Sequence, residues 1–454
     1  MKTESRTARR TFLTRSGLTL AGIGTATLAL PGLARAKASN ERVRIAAIGV
    51  GGRCRNLISG FLARDDCDVV TLCDVYPERH HVGHASREIE EKRGKRPAVV
   101  RDYRRVLDDK SIDAVIIATP DRWHAPLTIL ACLAGKDVYV EKPPTHNIRE
   151  GRLMVEAASR HSRIVQTGTQ NRSAPYVLEA LELVRSGAIG KVGICKVFNM
   201  KSGGRYTKAP DGAPLKGMDY DTWLGPAPHR PFNGQTVYGG GWHKYWDFSG
   251  GDFAGDGIHQ MDIARWLIGR SFPQSVHATG GKYIFDDDRE VPDTQIVTYD
   301  FGDLVMTAEE TTWAPYMRKT NGQTRNGSIH PFWPQNSTRI ELYGSKNLMI
   351  LGRHGGGWQI FTGDGKVIKE SYGRFPDPPH KENFIRSIKS REQPSAPPEE
   401  AHRSVTLIHL GNIAYRVGRP LKFAAKTEQI VGDDEAQSLA RGSYRKGFEL
   451  PDIA

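Results

Sequence analysis

Hydrophobic positions over residues 42–165 fall into short apolar runs that alternate with segments of helical spacing. Val43–Ile48 is apolar except for Arg44 and runs into Gly49-Val50-Gly51-Gly52-Arg53-Cys54, after which Leu57, Ile58 and Phe61 recur at helical intervals. Asp68–Cys73 predicts a second strand ending at Asp74, and Pro77–Arg93 a polar helix. Ile112–Thr119 predicts a third strand, Pro120 a turn, and Pro126–Ala134 an apolar helix. Asp137–Val140 predicts a fourth strand, Met154–Ser159 lies in another helix, and Arg163–Gln166 predicts a fifth strand. Strands alternating with helices predict a doubly wound parallel sheet of the Rossmann type over 42–165.

Beyond this point the pattern changes. From Lys191 to Met349 alternating segments recur at Val192–Val197, Val276–Thr279, Thr294–Tyr299, Leu304–Glu309 and Arg339–Tyr343, which predicts a second, mostly antiparallel sheet. One helix, Gly257–Ile268, stands among them. The Gly/Pro/Trp-rich stretch Ser202–Gly251 is uncommonly long for a loop, and such loops are often functional. Helices return at His380–Lys389 and Pro398–Val417; the second has Glu399 and Glu400 in its first turn and is closed by Gly418-Arg419-Pro420. The expected organisation is an α/β chain with a Rossmann domain at 42–165, a substrate-binding α/β domain at 166–420, and a C-terminal tail at 421–454.

Residues 1–36 read differently. Ala8-Arg9-Arg10-Thr11-Phe12-Leu13 precedes a modestly apolar stretch, Gly17–Leu33, and then Ala34-Arg35-Ala36. Charged region, apolar region and small-residue site in that order predict a cleaved export signal, and the arginine pair points to the twin-arginine route. The mature chain is then expected in the periplasm or otherwise outside the cytoplasm. A basic tail before a chance apolar run, or a retained N-terminal anchor, are the alternatives.

Composition adds limits. The 454 residues are 25% charged and 38% hydrophobic, which excludes a disordered, collagen-like or small disulfide-stapled protein. The net charge of +13 is partly carried by Lys2, Arg6, Arg9, Arg10, Arg15 and Arg35 in the signal, so the remainder is mildly basic. That balance suits solubility or an anionic substrate. No run after residue 36 is long and apolar enough to span a membrane. The five cysteines are odd in number and lack a C-x-x-C pair, so they predict buried thiols rather than a disulfide framework or a zinc site. His80, His81 and His84 mimic metal spacing but read better as part of a solvated helix, and no metal site is expected. Arg101–Arg105 is interrupted by Asp102 and Tyr103, and no nucleic-acid motif is present.

The clearest chemistry is a dinucleotide fingerprint: Gly49-x-Gly51 between strand and helix, with Asp74 at the end of the next strand. Gly49 permits the tight turn, Gly51 lets backbone approach a pyrophosphate, and Gly52 and Arg53 open the helix on which it would sit. Cys54 occupies the place of the third glycine. Asp74 would accept hydrogen bonds from the adenosine ribose. A 2′-phosphate there would meet like charge, a repulsion of up to ~4 kcal/mol at ~4 Å and an effective dielectric of ~20. NAD is therefore expected in preference to NADP.

Three further segments carry a resemblance. Thr119-Pro120-Asp121-x-x-His124, Gly135-Lys136-Asp137-Val138-Tyr139-Val140-Glu141-Lys142-Pro143 and Gly257-Ile258-His259-x-x-Asp262 together resemble the Gfo/Idh/MocA family, the relatives of glucose–fructose oxidoreductase and inositol dehydrogenase, over about residues 42–420. Trp242–Asp247 leading into Asp256–Asp262 is similar to exported members. The resemblance implies a Rossmann domain followed by an α/β domain with a large open sheet through which the chain would form a homo-oligomer. It implies cofactor contacts from Thr119, Pro120, His124, Glu141, Lys142 and Gln170, contact of Arg172 with cofactor or substrate, and an unusual peptide bond at Pro143 that positions Lys142.

For the reacting centre, Lys142 just past the fourth strand can hold a substrate hydroxyl and stabilise developing negative charge. His259 at the start of its helix matches the family's catalytic histidine and is a suitable acid/base. The family commonly places a carboxylate four residues earlier, where this chain has Gly255; Asp256 is the nearest replacement. Asp262 shares the face of His259 as an orienting or packing group. Trp242, His243 and Trp246 are candidates for stacking on a sugar face.

These residues predict an exported NAD-dependent oxidoreductase acting on a sugar or cyclitol secondary hydroxyl. No exchangeable NAD pool is expected outside the cytoplasm, so the cofactor would be loaded before export and retained. A redox-neutral NAD-dependent glycosidase or lyase using transient sugar oxidation is the second expectation. A non-catalytic sugar-binding protein on the same fold is the third.

Overall fold

The computed structural model describes residues 42–453, so the proposed signal at 1–36 lies outside the described residues. Strand β1 (Val43–Ile48) sits in the middle of a six-stranded sheet with β2 (Cys67–Cys73), β3 (Ala98–Val100), β4 (Ala114–Ile117), β5 (Asp137–Val140) and β6 (Val165–Thr167). The order is β3-β2-β1-β4-β5-β6 and every pair is parallel. β4 is buried along its whole length, as a strand covered on both faces must be. The cover is supplied by α1 (Gly52–Leu62), α2 (His80–Arg93), α3 (Tyr103–Asp108), α4 (His124–Leu133) and α5 (Ile148–Arg160). In α1 the helical stripe Leu57, Ile58 and Phe61 turns to the sheet. Strand order reverses between β1 and β4, which opens a crevice at their C-terminal ends.

After α6 (Pro175–Arg185), β7 (Val192–Met200) begins a ten-stranded sheet. Between β7 and the next strand lie short helices α7 (Tyr220–Leu224) and α8 (Gly234–Val237), then α9 (Ile258–Ile268). The sheet continues with β8 (Ser275–Gly281), β9 (Thr294–Asp300) and β10 (Val305–Thr311), then, after the single turn α10 (Gly322–Arg325), β11 (Arg339–Gly344), β12 (Leu348–Gly352), β13 (Trp358–Phe361) and β14 (Val367–Ser371). Only β7 and β10 pair in parallel; the other neighbours are antiparallel. One face packs on α9 and α12 (Pro398–Val417), and the other leaves Ile194, Ile296 and Val305 exposed. β9 shows the division: Val297 and Tyr299 point into the core while Ile296 points out.

Two segments depart from the sequence-based domain boundaries. Helix α11 (Asp377–Ser390) returns to the first half, where Phe384 and Ile385 pack with Phe61 and Tyr139 behind the parallel sheet. Residues 421–454, expected as a tail, carry β15 (Leu421–Ala424) and β16 (Gln429–Ile430) at the edge of the large sheet and α13 (Asp434–Arg441). The chain then crosses to the Rossmann half, where Phe448, Leu450 and Ile453 pack with Trp123 and Leu127. The apolar residues in both segments bury against partners hundreds of positions away, which local patterning does not encode. The described residues fall within one compact unit. Among them no helix is long and apolar enough to cross a membrane.

Candidate active site

The crevice beyond β1 and β4 opens into a groove of about 330 Å³. Its floor is the Gly49–Arg53 turn and Asp74, its wall Thr119–His124 and Glu141–Lys142, and its roof part of the long Gly/Pro/Trp-rich stretch. That stretch is held by a small core of its own, with Trp223, Phe232, Val237, Tyr245 and Phe248 packed together. It thereby presents Trp242 and His243 to the groove.

At the dinucleotide end Gly49 has φ of +81°, and a Cβ there would lie 2.7 Å from Thr119 Cγ2 and 2.9 Å from Thr119 N. Only glycine lets the turn approach β4 so closely. At Gly51 and Gly52 a Cβ would meet nothing within 4 Å, so these residues border open groove. The helix they start has no side-chain cap, leaving its first N–H groups for an anion. Cys54, in place of the third glycine, is fully buried in the helix–sheet core. Asp74 accepts from Val50 N–H at 2.8 Å and Tyr76 N–H at 3.0 Å, one oxygen each. Burial raises its pKa. Each oxygen keeps a lone pair, so a ribose diol fits at the groove face of this carboxylate. Open turn, uncapped helix and carboxylate together fit an adenine dinucleotide.

Other predicted contacts are placed differently. Arg53 lines the groove, but its guanidinium is paired with Glu141 at 2.7 Å and Asp377 at 3.5 Å, which leaves its backbone for the cofactor. Gln170, expected at the cofactor, is buried away from the groove lining and donates to Tyr139 Oη at 3.4 Å. Arg172, expected at cofactor or substrate, is also off the groove. Its guanidinium is held by Asp262 at 2.8 Å and Glu400 at 3.1 Å and ties the domain junction to α9 and α12. Asp262 is thus a packing partner.

At the other end stands Lys142. The Lys142–Pro143 peptide is cis, the unusual bond expected there. The His124 ring lies between the carbonyls of Pro143, at 2.6 Å, and Thr119, at 2.9 Å, and pins this segment to the wall. Lys142 Nζ donates to the Gly255 carbonyl. Burial lowers the lysine pKa, and the charges of Glu141 and Asp256 oppose that fall. Trp242 and His243 stack with ring centroids 3.5 Å apart, and burial takes His243 down to about 3, so it is neutral.

Asp256 is a correction. Residues Phe253–Gly257 form a π turn at the entry to α9, and such a turn holds an extra residue, which shifts the backbone around Asp256. The carboxylate itself is taken by Arg353 at 2.7 Å, Lys319 at 2.9 Å and Lys201 at 3.4 Å. Burial works against its ionisation, but Arg353 and the two lysines hold its pKa well below the usual range. An acid/base role does not suit a group so firmly ionised. His259 is buried behind the groove lining, with Nδ1 unpartnered and its ring 5.2 Å from that of His354. Burial and the Arg353 charge keep it neutral.

Sequence reasoning missed three residues here. Arg353 and His354 come from the loop between β12 and β13, with His354 in the left-handed region at φ of +57°. The third, Asp121, was visible within the Thr-Pro-Asp motif but carried no assigned role. It lines the groove, is 2% exposed, accepts from Ser249 Oγ at 2.7 Å, and is pushed up to about 7 by burial. A carboxyl that ionises near neutral pH suits proton transfer. Its raised pKa favours the folded chain at low pH, and that advantage is lost as pH rises through about 7. Asp121→Asn should therefore match the unmodified protein in acid and exceed it in stability above pH 7, by up to about 4 kcal/mol. Urea titrations across that range check this; a pH-independent difference sinks the assignment.

A parallel sheet with a glycine turn and ribose-facing carboxylate at its reversal point, backed by a half-buried lysine, defines a nicotinamide-dependent oxidoreductase. Residues 43–169 match the oxidoreductase family's NAD-binding Rossmann fold and residues 186–328 and 336–450 its C-terminal alpha/beta domain, so the chain belongs to the Gfo/Idh/MocA family. A glycosyl hydrolase family 109 protein of Parabacteroides distasonis is 26% identical over 347 residues, 70% of this chain and 69% of that protein. An alpha-N-acetylgalactosaminidase of Shewanella oneidensis is 29% identical over 203 residues, 40% of this chain and 44% of that protein, so the match spans under half its length. Among solved structures, the WlbA dehydrogenase of Bordetella pertussis in complex with NADH and UDP-GlcNAcA has a TM-score of 0.61 at 20% identity, covering 85% of this chain and 99% of that one. The aldose-aldose oxidoreductase of Caulobacter crescentus has a TM-score of 0.60 at 19% identity, covering 84% and 100%. Both likenesses concern the fold.

Proposed function

We propose that the chain oxidises a secondary hydroxyl of a sugar or cyclitol at the Lys142 end of the groove. The observation that carries this reading is a half-buried lysine sharing the groove wall with Asp121, a carboxyl that ionises near pH 7. NAD, when bound, supplies the hydride acceptor. Lys142 holds the substrate oxygen and stabilises its developing charge. The hydroxyl proton passes to Asp121, directly or through Lys142. The carbon hydride leaves in the same reaction, so the products are a ketone, a reduced cofactor and one proton held by the protein. The stacked Trp242 and His243 offer a flat face to the sugar ring. His259 acts as a positioning residue behind Lys142.

The relatives named as glycosyl hydrolases favour a second reading at the same site. Transient oxidation of a ring hydroxyl acidifies the neighbouring C–H, which lets the aglycone leave by elimination. Addition of water and return of the hydride then restore the sugar with no net redox change. Incubation with NAD and panels of free sugars and aryl glycosides separates the two. NADH accumulating with a free sugar supports oxidation. Aglycone release without NADH supports glycosidic cleavage and overturns the first reading.

A further inference from the structure

A second cavity, of about 180 Å³, lies behind the groove between the N-terminus of α5, helix α12 and the segment after α13. Its floor is buried, with Arg122 and Glu150 each 1% exposed, while Arg416, Gly442 and Ser443 at its rim are exposed. Arg122 is the notable group. Its guanidinium lies between the rings of Trp223 and Phe248, 4.3 and 4.4 Å from their centroids. Nε donates to the Leu224 carbonyl at 2.8 Å and Nη2 to that of Trp223, but Nη1 is buried with no partner. Burial lowers its pKa only to about 9, so it is a cation at neutral pH. Among the described residues it makes no ion pair. The adjacent carboxyl of Asp121 is bonded to Ser249, and Asp247 is paired with Arg230 at 2.7 Å.

A buried cation held in no ion pair is costly, and its open donor calls for an acceptor. A second unpaired guanidinium faces the same space: Arg416 stacks 5.3 Å from the Trp246 centroid and makes no hydrogen bond or ion pair among the described residues. On the same helix, one turn before Arg416, Asn412 also lines the cavity and donates to the Gly250 carbonyl at 2.9 Å, while its Oδ1 is buried and unpartnered. That oxygen requires a donor, which an anion alone does not supply. Glu150 does not oppose an anion strongly, because it accepts from Tyr444 Oη at 3.1 Å and burial raises it to about 7.

From two unpaired guanidiniums and one unpaired acceptor lining the same cavity, we propose that this cavity binds a small polyhydroxylated anion. The negative group meets Arg122 and Arg416, and a hydroxyl donates to Asn412 Oδ1. The site is separate from the groove and independent of the reaction assigned to Lys142. The shared wall is the Ser249–Asp121 hydrogen bond, so an occupant of the cavity would lie one residue from the groove.

Calorimetric titration of the full chain with gluconate and with glucose 6-phosphate tests this and separates a carboxylate from a phosphate ligand, with sorbitol as the uncharged control. At least one anion should bind one to one, and sorbitol should bind at least tenfold more weakly. Arg416→Gln, at an exposed position, should weaken anion binding at least tenfold and leave NAD binding unchanged. Asn412→Asp, which adds negative charge inside the cavity, should do the same. Absence of binding by both anions, equal binding of sorbitol, or undiminished anion binding in both variants would overturn the proposal.

Discussion

Lys142→Ala should lower kcat by about 10²–10⁴-fold on the identified sugar while NAD affinity stays within about tenfold. The lysine is half-buried in the groove wall, and its ammonium is anchored by the Gly255 carbonyl. Removing it takes away the donor to the substrate oxygen and leaves the adenosine cradle of Gly49, Gly51 and Asp74 in place. His259→Ala should lose less, because that ring is buried behind the lining beside His354 and reaches the substrate only through its neighbours. Groups that work as one unit are strongly non-additive, so the double variant should be little worse than Lys142→Ala. Stopped-flow measurement of NADH together with equilibrium cofactor titration gives both quantities. Full activity in Lys142→Ala means the chemistry lies elsewhere.

Asp74→Ala should weaken NAD binding by roughly 10- to 150-fold, the range expected for a charge-assisted hydrogen bond of about 1.5–3 kcal/mol. NADP binding should fall far less, because the same substitution removes a negative charge from the position its 2′-phosphate would occupy. The preference between the two nucleotides should narrow accordingly. The carboxylate also accepts from Val50 and Tyr76 N–H, so part of the loss will come from a less ordered glycine turn. Asp74→Asn separates the two effects, since its amide oxygen can still accept one of those bonds. Fluorescence titration with each nucleotide reads the outcome, and equal affinity in the unmodified protein would refute the ribose assignment.

The parts legible in the sequence were those whose signal is local. β1, β5 and α12 have the bounds their patterns predict, because apolar runs end at charged residues, glycine or proline within a few positions. The glycine turn and Asp74 were legible for the same reason, since strand, turn and helix follow one another directly. What failed was non-local. Arg353 meets Asp256 from 97 positions away, so nothing around Asp256 announced that its carboxylate was already paired. Asp121 gains its raised pKa from burial, and its hydroxyl partner, Ser249, is 128 positions along the chain. Arg172 stood at the domain junction as expected, but Asp262 lies 90 residues later and claims its guanidinium. Helix α6 begins with Pro175 at its first turn, an N-terminal signal that was there to be used.

The crossing of the final residues onto the Rossmann half bears on how the chain is made. Trp123 and Leu127 leave the ribosome long before Phe448, Leu450 and Ile453, which pack with them. The same delay applies to the surface of Phe61 and Tyr139 that α11 covers. Nascent chains fold N-terminal parts first, and uncovered apolar surface is prone to aggregation. The nucleotide-binding half therefore waits, with part of its core open to solvent, until residues 448–453 have emerged and docked.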